Sequence, residues 1–281
     1  MKRISLLCAA VLWCVTNVHA EIKGEAVEYH HGDAVLEGYL AYDDAVPGLQ
    51  PGILVVHEWK GLNDYAKRRA EQLAQLGYVA FAADMYGKGI RAKDHTEAAQ
   101  LSGVYRNDRQ LMRARAQAAF DVLTRQPNVD PTKLAAMGYC FGGMTVLELA
   151  RSGADLLGVV TFHGGLDTPH LEDARNIKGK LLVLHGAEDR FVTQEQVKAF
   201  QAEMDAAAVR YQLIQYPGAV HSFTVPEAGS DTSTGMAYNA AADQQSWEAM
   251  KIFFSQLFEQ PPAASAHQIS EGTHQAGNRT I

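Results

Sequence analysis

Short, nearly continuous apolar runs recur along the chain, separated by stretches in which apolar residues return every three or four positions. Ile53-Leu54-Val55-Val56 and Leu181-Leu182-Val183-Leu184 are of the first kind, which suits strands covered on both faces. The pattern predicts strands over 35–42, 52–57, 78–83, 133–139, 157–162, 181–185 and 211–216. Between them the period lengthens. Asn63 is placed to cap a helix in which Ala66, Ala70 and Leu73 recur before Gly77 stops it, and a helix over 108–125 would present Leu111, Ala118 and Val122 on one face. Another follows Cys140 with Met144, Leu147 and Ala150, and the last turns Trp247, Met250, Phe254 and Leu257 inward. Strands alternating with helices predict an α/β domain, a mostly parallel central sheet with helices on both faces.

No repeat and no shift in composition divides residues 21–258, so one domain is expected there. Beyond it the chain turns polar through Pro261-Pro262-Ala263-Ala264-Ser265, the composition of a disordered tail over 259–281. Residues 1–20 read as a secretory signal peptide: Lys2 and Arg3, an apolar run from Ile4 to Val15, and small Ala20 before the expected cleavage. That run is shorter than the ~20 residues that cross a bilayer, and Leu7 and Trp13, which precede Cys8 and Cys14, do not suit lipid attachment. The expectation is a secreted protein, periplasmic if bacterial, with no membrane anchor. Asn278-Arg279-Thr280 would be a glycosylation site only on a eukaryotic secretory route.

Composition narrows the field further. The 281 residues are 47% apolar and 20% charged, enough for a self-sufficient core. A net charge of −7, with no basic run, argues against nucleic acid as a partner. Loss of the leader leaves Cys140 as the single cysteine, so no intramolecular disulfide is possible.

Gly138-Tyr139-Cys140-Phe141-Gly142-Gly143 joins a predicted strand to a predicted helix and has the form of a nucleophile elbow with cysteine in the place of serine. A strand turning abruptly into a helix strains the middle residue, and small residues two before and two after keep clear of the bend. Cys140 would also sit at a helix N-terminus, where unpaired N–H groups favour a thiolate. A lone cysteine is most often a small buried hydrophobe; strand, paired glycines and helix together favour chemistry.

A thiol nucleophile needs a base, and the base an orienting carboxylate. On this fold they follow the nucleophile in the order acid, then histidine. Asp189 falls just after the predicted strand 181–185, and His221 in the loop after 211–216; loops at the C-terminal ends of parallel strands converge on one sheet edge. Asp173 and Glu188 are alternative acids, and His185 and His163 alternative bases. Upstream, His57-Glu58-Trp59-Lys60-Gly61 ends a predicted strand where an oxyanion loop belongs, so backbone N–H groups of Trp59 and Phe141 could face a developing oxyanion, with Glu58 close to the thiol. A zinc-binding helix is excluded there, because Gly61 stands where a second histidine would be needed. Tyr86 and Phe223 are candidate substrate-binding aromatics.

Val56-His57-Glu58 with Gly61-Leu62-Asn63, Asp84-Met85-Tyr86-Gly87, the cysteine elbow, Gly186 to Asp189 and Gly218 to Phe223 resemble the dienelactone hydrolase family, the cysteine branch of the α/β-hydrolases. The resemblance spans about residues 25–258. It implies an α/β-hydrolase fold, catalysis by Cys140, Asp189 and His221 with Glu58 as an additional carboxylate that helps activate the thiol, and no cofactor. It also implies a small ester or lactone as substrate, cleaved through an acyl-thioester. Family members acting on dienelactones hold the substrate carboxylate with arginine after the Tyr86 loop, where this chain has Arg91, Arg106 and Arg109. A monomer or small homo-oligomer is expected. A binding protein that has lost catalysis on the same fold is the competing reading, although all four site residues are present.

Overall fold

The structure, a computed structural model, describes residues 21–259. The expected signal peptide, the tail beyond residue 259, Cys8, Cys14 and the triplet Asn278-Arg279-Thr280 lie outside the described residues. In chain order the strands are β1 (Ile22–His31), β2 (Ala34–Asp43), β3 (Gln50–Val56), β4 (Val79–Ala83), β5 (Val129–Tyr139), β6 (Gly158–Phe162), β7 (Lys180–Gly186) and β8 (Tyr211–Tyr216). The helices are α1 (Asp64–Ala74), α2 (His95–Asn107), α3 (Arg109–Thr124), α4 (Phe141–Arg151), α5 (Gln194–Ala206) and α6 (Ala240–Glu259). All eight strands form one sheet in the order β1-β2-β4-β3-β5-β6-β7-β8. Neighbours from β4 through β3 to β8 run parallel, whereas β2 is antiparallel to both β1 and β4.

The apolar runs are continuous because successive side chains enter two different cores. Leu54 and Val56 of β3, Val159 of β6 and Val183 of β7 pack under α2 to α5. Ile53, Val55, Val160 and Leu182 pack on the opposite face, under α1 and α6. Each such side chain, fully buried, stabilises the fold by about 1.5–3 kcal/mol. Asn63 caps α1 by accepting from the Ala66 N–H at 3.3 Å, and Gly77 closes the turn after it at φ 85°.

Several elements depart from the sequence expectation. Strand β1 was not expected because its outer residues are Glu25, Glu28 and His30; it is an edge strand, and such charge suits an edge exposed to water. Helices α2 and α5 also carry too weak an apolar stripe to announce themselves. On α3 the buried face is Met112, Ala116, Ala119, Phe120 and Leu123, and the expected stripe of Leu111, Ala118 and Val122 lies half-buried at its flank. Two arginines set that rotation: Arg115 reaches inward to the Met85 carbonyl at 3.1 Å, and Arg109 reaches Asp167 at 2.9 Å. Trp247 is only half-buried and lies over the Arg69 guanidinium, 4.9 Å from its ring centre.

Helix α4, which carries the elbow, is anchored from below by charge. Arg151, wholly buried, pairs with Glu203 of α5 at 2.8 Å and Glu148 at 3.1 Å, and donates to the Leu166 carbonyl at 3.1 Å. Arg113 of α3 joins Glu148 to Asp173. Removing one partner from such a network would strand a buried charge, at a cost on the order of 3–5 kcal/mol.

Candidate active site

Cys140 is the turn between β5 and α4, with φ 52° and ψ −112°. Such a backbone costs a non-glycine residue on the order of 1–3 kcal/mol and persists only where its surroundings enforce it. The neighbouring glycines show how. A Cβ on Gly138 would lie 2.2 Å from the Gly142 carbonyl oxygen, and one on Gly142 would lie 2.1 Å from that of Val56. The first glycine thus lets the elbow close on itself, and the second lets it close on β3. Gly143 faces the Thr161 hydroxyl at 2.3 Å by the same measure, which brings α4 down onto β6. The Cys140 N–H is tied to the Phe162 carbonyl at 3.0 Å.

Asp189 and His221 meet although they come from separate loops, with Asp189 Oδ2 2.8 Å from His221 Nδ1. The other carboxylate oxygen accepts from the N–H groups of Phe191 and Val192 at 2.8 and 3.0 Å. Burial alone would raise the Asp189 pKa; the His221 bond and charge and the two N–H donors reverse this and hold it below its ordinary value. Burial likewise opposes charge on His221. The Cys140 sulfur, through charge and hydrogen bonding, and the Asp189 carboxylate outweigh it, so His221 titrates well above an ordinary histidine. With Nδ1 engaged by Asp189, Nε2 is the ring nitrogen left for the sulfur.

Glu58 lies on the other side of His221. Its side chain is 11% exposed, accepts from the Ser222 hydroxyl at 3.2 Å and stands 4.0 Å from His163 Nδ1. Burial raises its pKa, and the charge of His221 and the Ser222 bond offset this only in part. Beneath it, His57 Nδ1 donates to the Glu58 carbonyl at 2.5 Å while Nε2 accepts from the Met85 N–H at 3.2 Å. Burial takes the His57 pKa down to about 4, so the ring is neutral and its tautomer is set by these two bonds.

The adjacent Trp59 peptide is pinned through its carbonyl, which accepts from the Tyr86 hydroxyl at 2.8 Å. Phe141 opens α4, so its N–H has no acceptor within the helix. Tyr86 reaches the site through Trp59 and lines neither of the two cavities described below. Phe223 is wholly buried in the α1–α6 core, edge-on to His163 at 5.2 Å, and lines neither cavity; the positive φ of Ser222, 56°, breaks the alternation that would otherwise put His221 and Phe223 on one side.

The alternatives to Asp189 and His221 are placed elsewhere. Asp173 pairs with Arg113 at 2.6 Å, and Glu188 accepts from the Gly218 N–H at 3.1 Å. His163 is engaged by Thr224 at 2.7 Å, and burial with the neighbouring His221 charge keeps its pKa well below the ordinary value. His185 is buried, and neither ring nitrogen has a hydrogen-bond partner among the described residues. Of the three arginines, Arg106 lines the cysteine pocket, Arg109 is bound to Asp167, and Arg91 lines neither cavity.

Two cavities meet at Trp59 and Met236 at this edge. One, of about 160 Å³, holds Cys140 and His221 between Trp59, Met144, Phe191 and Met236, and its Arg106 and Asp167 are shared with a further cavity of about 580 Å³. The second, of about 520 Å³, is lined by Glu58, Trp59, Lys60, Arg68, His95 and Ser222, among others. Phe191, Met236 and Ser222 carried no signal in the sequence beyond the neighbourhood of Asp189 and His221. Phe191, 54% exposed and 5.4 Å from the His221 ring, is an exposed aromatic two residues after the predicted acid, and that position could have flagged it. Among the described residues no group of three His, Cys, Asp or Glu side chains could hold a metal ion.

Comparison with known proteins places this geometry in a family. A model described as the dienelactone hydrolase family matches residues 36–258. A dienelactone hydrolase-like promiscuous phosphotriesterase from metagenomic libraries superposes with a TM-score of 0.80 at 44% identity, covering 85% of this chain and 99% of its own. A relative from Synechocystis that carries a provisional carboxymethylenebutenolidase name is 27% identical over 83% of this chain and 97% of its own. A dienelactone hydrolase from Anabaena variabilis, 22% identical over 82% of this chain and 98% of its own, shares the fold with a TM-score of 0.58. The mixed eight-stranded sheet with helices on both faces is accordingly an α/β-hydrolase fold, and the chain belongs to the dienelactone hydrolase family of ester- and lactone-cleaving hydrolases.

Proposed function

We propose that the protein hydrolyses small esters or lactones with Cys140 as nucleophile, His221 as proton carrier and Asp189 as its orienting carboxylate. The observation that carries this reading is the short His221–Asp189 bond beside a sulfur held in a strained elbow. The sulfur, its proton on His221, attacks the carbonyl carbon, and the resulting oxyanion is met by the N–H groups of Phe141 and Trp59. Each such donor is worth on the order of 10²–10³ in rate. Collapse breaks the bond to the leaving oxygen, which takes the proton from His221 Nε2 and leaves an acyl-thioester. Water then gives a proton back to His221 and its oxygen to the acyl carbon, and the sulfur departs as thiolate, restoring the resting pair. With a lactone the alcohol remains on the acyl group and one hydroxy acid is released. Glu58 sits beside His221 and Ser222, and assists by tuning the charge around the imidazole.

One observation favours a second activity at the same sulfur, the name of the 44% identical relative. A phosphotriester would be attacked at phosphorus, expelling an alkoxide that takes the His221 proton. Water would then release the diester from the S-phosphoryl cysteine. The Lys2-Arg3 and apolar pattern of the first residues supports action after export, in the periplasm if the source is bacterial.

The test is turnover of phenyl acetate by the purified protein, by Cys140→Ala and by protein alkylated with iodoacetamide. Both treatments should abolish turnover. Full activity after either would remove the sulfur from the mechanism.

A further inference from the structure

Substrates of ordinary ligand size need about 300–1,000 Å³. The pocket around the sulfur, about 160 Å³, falls below that range, and the neighbouring cleft, about 520 Å³, falls within it. Trp59 and Met236 line both. A substrate that extends from the sulfur into this cleft therefore passes between these two side chains.

The direction of that passage follows from the histidine. The His221 backbone is laced to the segment carrying Met236: its N–H donates to Gly235 at 3.2 Å, its carbonyl accepts from Ala237 at 3.1 Å, and it bridges Met236 as a parallel partner. Arg106 and Asp167, the latter held by Arg109 at 2.9 Å, line the small pocket as well and share it with a third cavity of about 580 Å³. A leaving oxygen must take its proton from His221, so the alcohol half of an ester lies toward Met236 and the cleft, and the acyl half stays on the sulfur's side of that passage.

The cleft's lining describes the alcohol. Trp59 and His95 stand together as an aromatic wall, with ring centres 5.1 Å apart. Lys60 and Arg68 face Asp64 and Glu227, burial biases Glu58 toward its neutral form, and Arg68 is already paired with Glu227 at 2.6 Å, so neither sign of charge is in excess. Such a surface stacks a planar ring and hydrogen-bonds neutral polar substituents, and it gives no net attraction to an anion or a cation.

We propose that this cleft is an alcohol subsite: the enzyme takes esters of neutral, hydroxyl-bearing ring alcohols, and Trp59 and Met236 form the sill between the two halves. The proposal rests on the ester-hydrolase reading above. The test uses two acetate esters, ethyl acetate and para-hydroxymethylphenyl acetate, with Ala228→Trp and Asp64→Trp. Both of these positions line the cleft and not the cysteine pocket, and Asp64 is exposed on the first turn of α1, so at least one variant should keep its fold. The ratio of kcat/KM for the ring ester over ethyl acetate should fall on the order of 10-fold relative to the unsubstituted protein, mainly through KM. Because each variant is compared with the parent on the same pair, the intrinsic reactivity of the two esters cancels. An unchanged ratio in both folded variants would overturn the subsite while leaving the esterase reading in place. A parent protein that turns over neither ester would instead overturn both.

Discussion

Two carboxylate–imidazole pairs face each other across this site, and they are in opposite states. In Asp189–His221 the groups are 2.8 Å apart, the carboxylate takes two further N–H bonds, and the sulfur adds negative charge; the acid is pushed down and the base up, so both are charged. In Glu58–His163 the groups are 4.0 Å apart, His163 Nδ1 has no hydrogen-bond partner, and burial dominates; the acid is pushed up and the base down, so both tend to neutrality. Residue type does not decide the outcome. The sulfur's charge, hydrogen-bond count and separation do, because burial favours the neutral forms unless bonds and opposite charge outweigh it. The difference also separates roles: a charged pair can move a proton at the sulfur, whereas a neutral pair shapes the field around it.

The largest effect should come from breaking the charged pair. His221→Ala is expected to lower kcat/KM on the order of 10²–10⁴, measured with phenyl acetate. Asp189→Asn should cost a smaller share of that factor and leave a signature in pH. In the parent, imidazolium persists well above the ordinary histidine range, so activity should show no rise near pH 6.5 and should fall in alkali, as His221 loses its proton. Without the Asp189 charge that alkaline limb should move to lower pH; an unmoved limb would detach Asp189 from His221 function.

Stability follows the same signs. The raised His221 pKa contributes stability that is present below its unfolded value and lost as pH rises through the folded one. The depressed Asp189 pKa contributes stability that is present above its unfolded value and lost as pH falls through the folded one.

Breaking the neutral pair should do less. His163→Asn keeps a residue that tolerates the φ of 39° there but loses the Thr224 bond. It should cost about 1–3 kcal/mol in urea unfolding while kcat/KM changes by less than about 10-fold. Smallest of all, Glu58→Gln should raise the melting temperature slightly at neutral pH, since burial disfavours the ionised carboxyl. The gain should fade as pH falls through and below 4.5, the ordinary carboxyl value, where Glu58 becomes protonated in both folded and unfolded chains. A lower melting temperature at neutral pH would mean that the Ser222 bond and the His221 charge outweigh burial.

How much of this was visible beforehand differs between the two pairs. The meeting of Asp189 with His221 was legible because each follows a predicted strand of a mostly parallel sheet, and parallel strands deliver their C-terminal loops to one edge. The elbow was legible for a local reason, since its glycines are spaced by steric need. His163 as partner to Glu58 was not. It ends β6 with its ring toward Thr224 and Glu58, a direction set by a positive φ that no pattern announces. Met236 was hidden as well, because its segment is placed by backbone bonds to His221 rather than by an apolar period. Phe223 misled for the converse reason: proximity in sequence to His221 says nothing about which face of the loop a ring will take.

The central claim is that a sulfur held beside imidazolium forms a covalent acyl intermediate, and trapping it is the most direct measurement. Phenyl acetate mixed with the protein, quenched in acid within the first turnovers and digested, should yield the Cys140 peptide carrying one acetyl group, and Cys140→Ala should yield none. An unmodified Cys140 peptide in a protein that is turning the ester over, or acetyl found on another residue, would contradict the account.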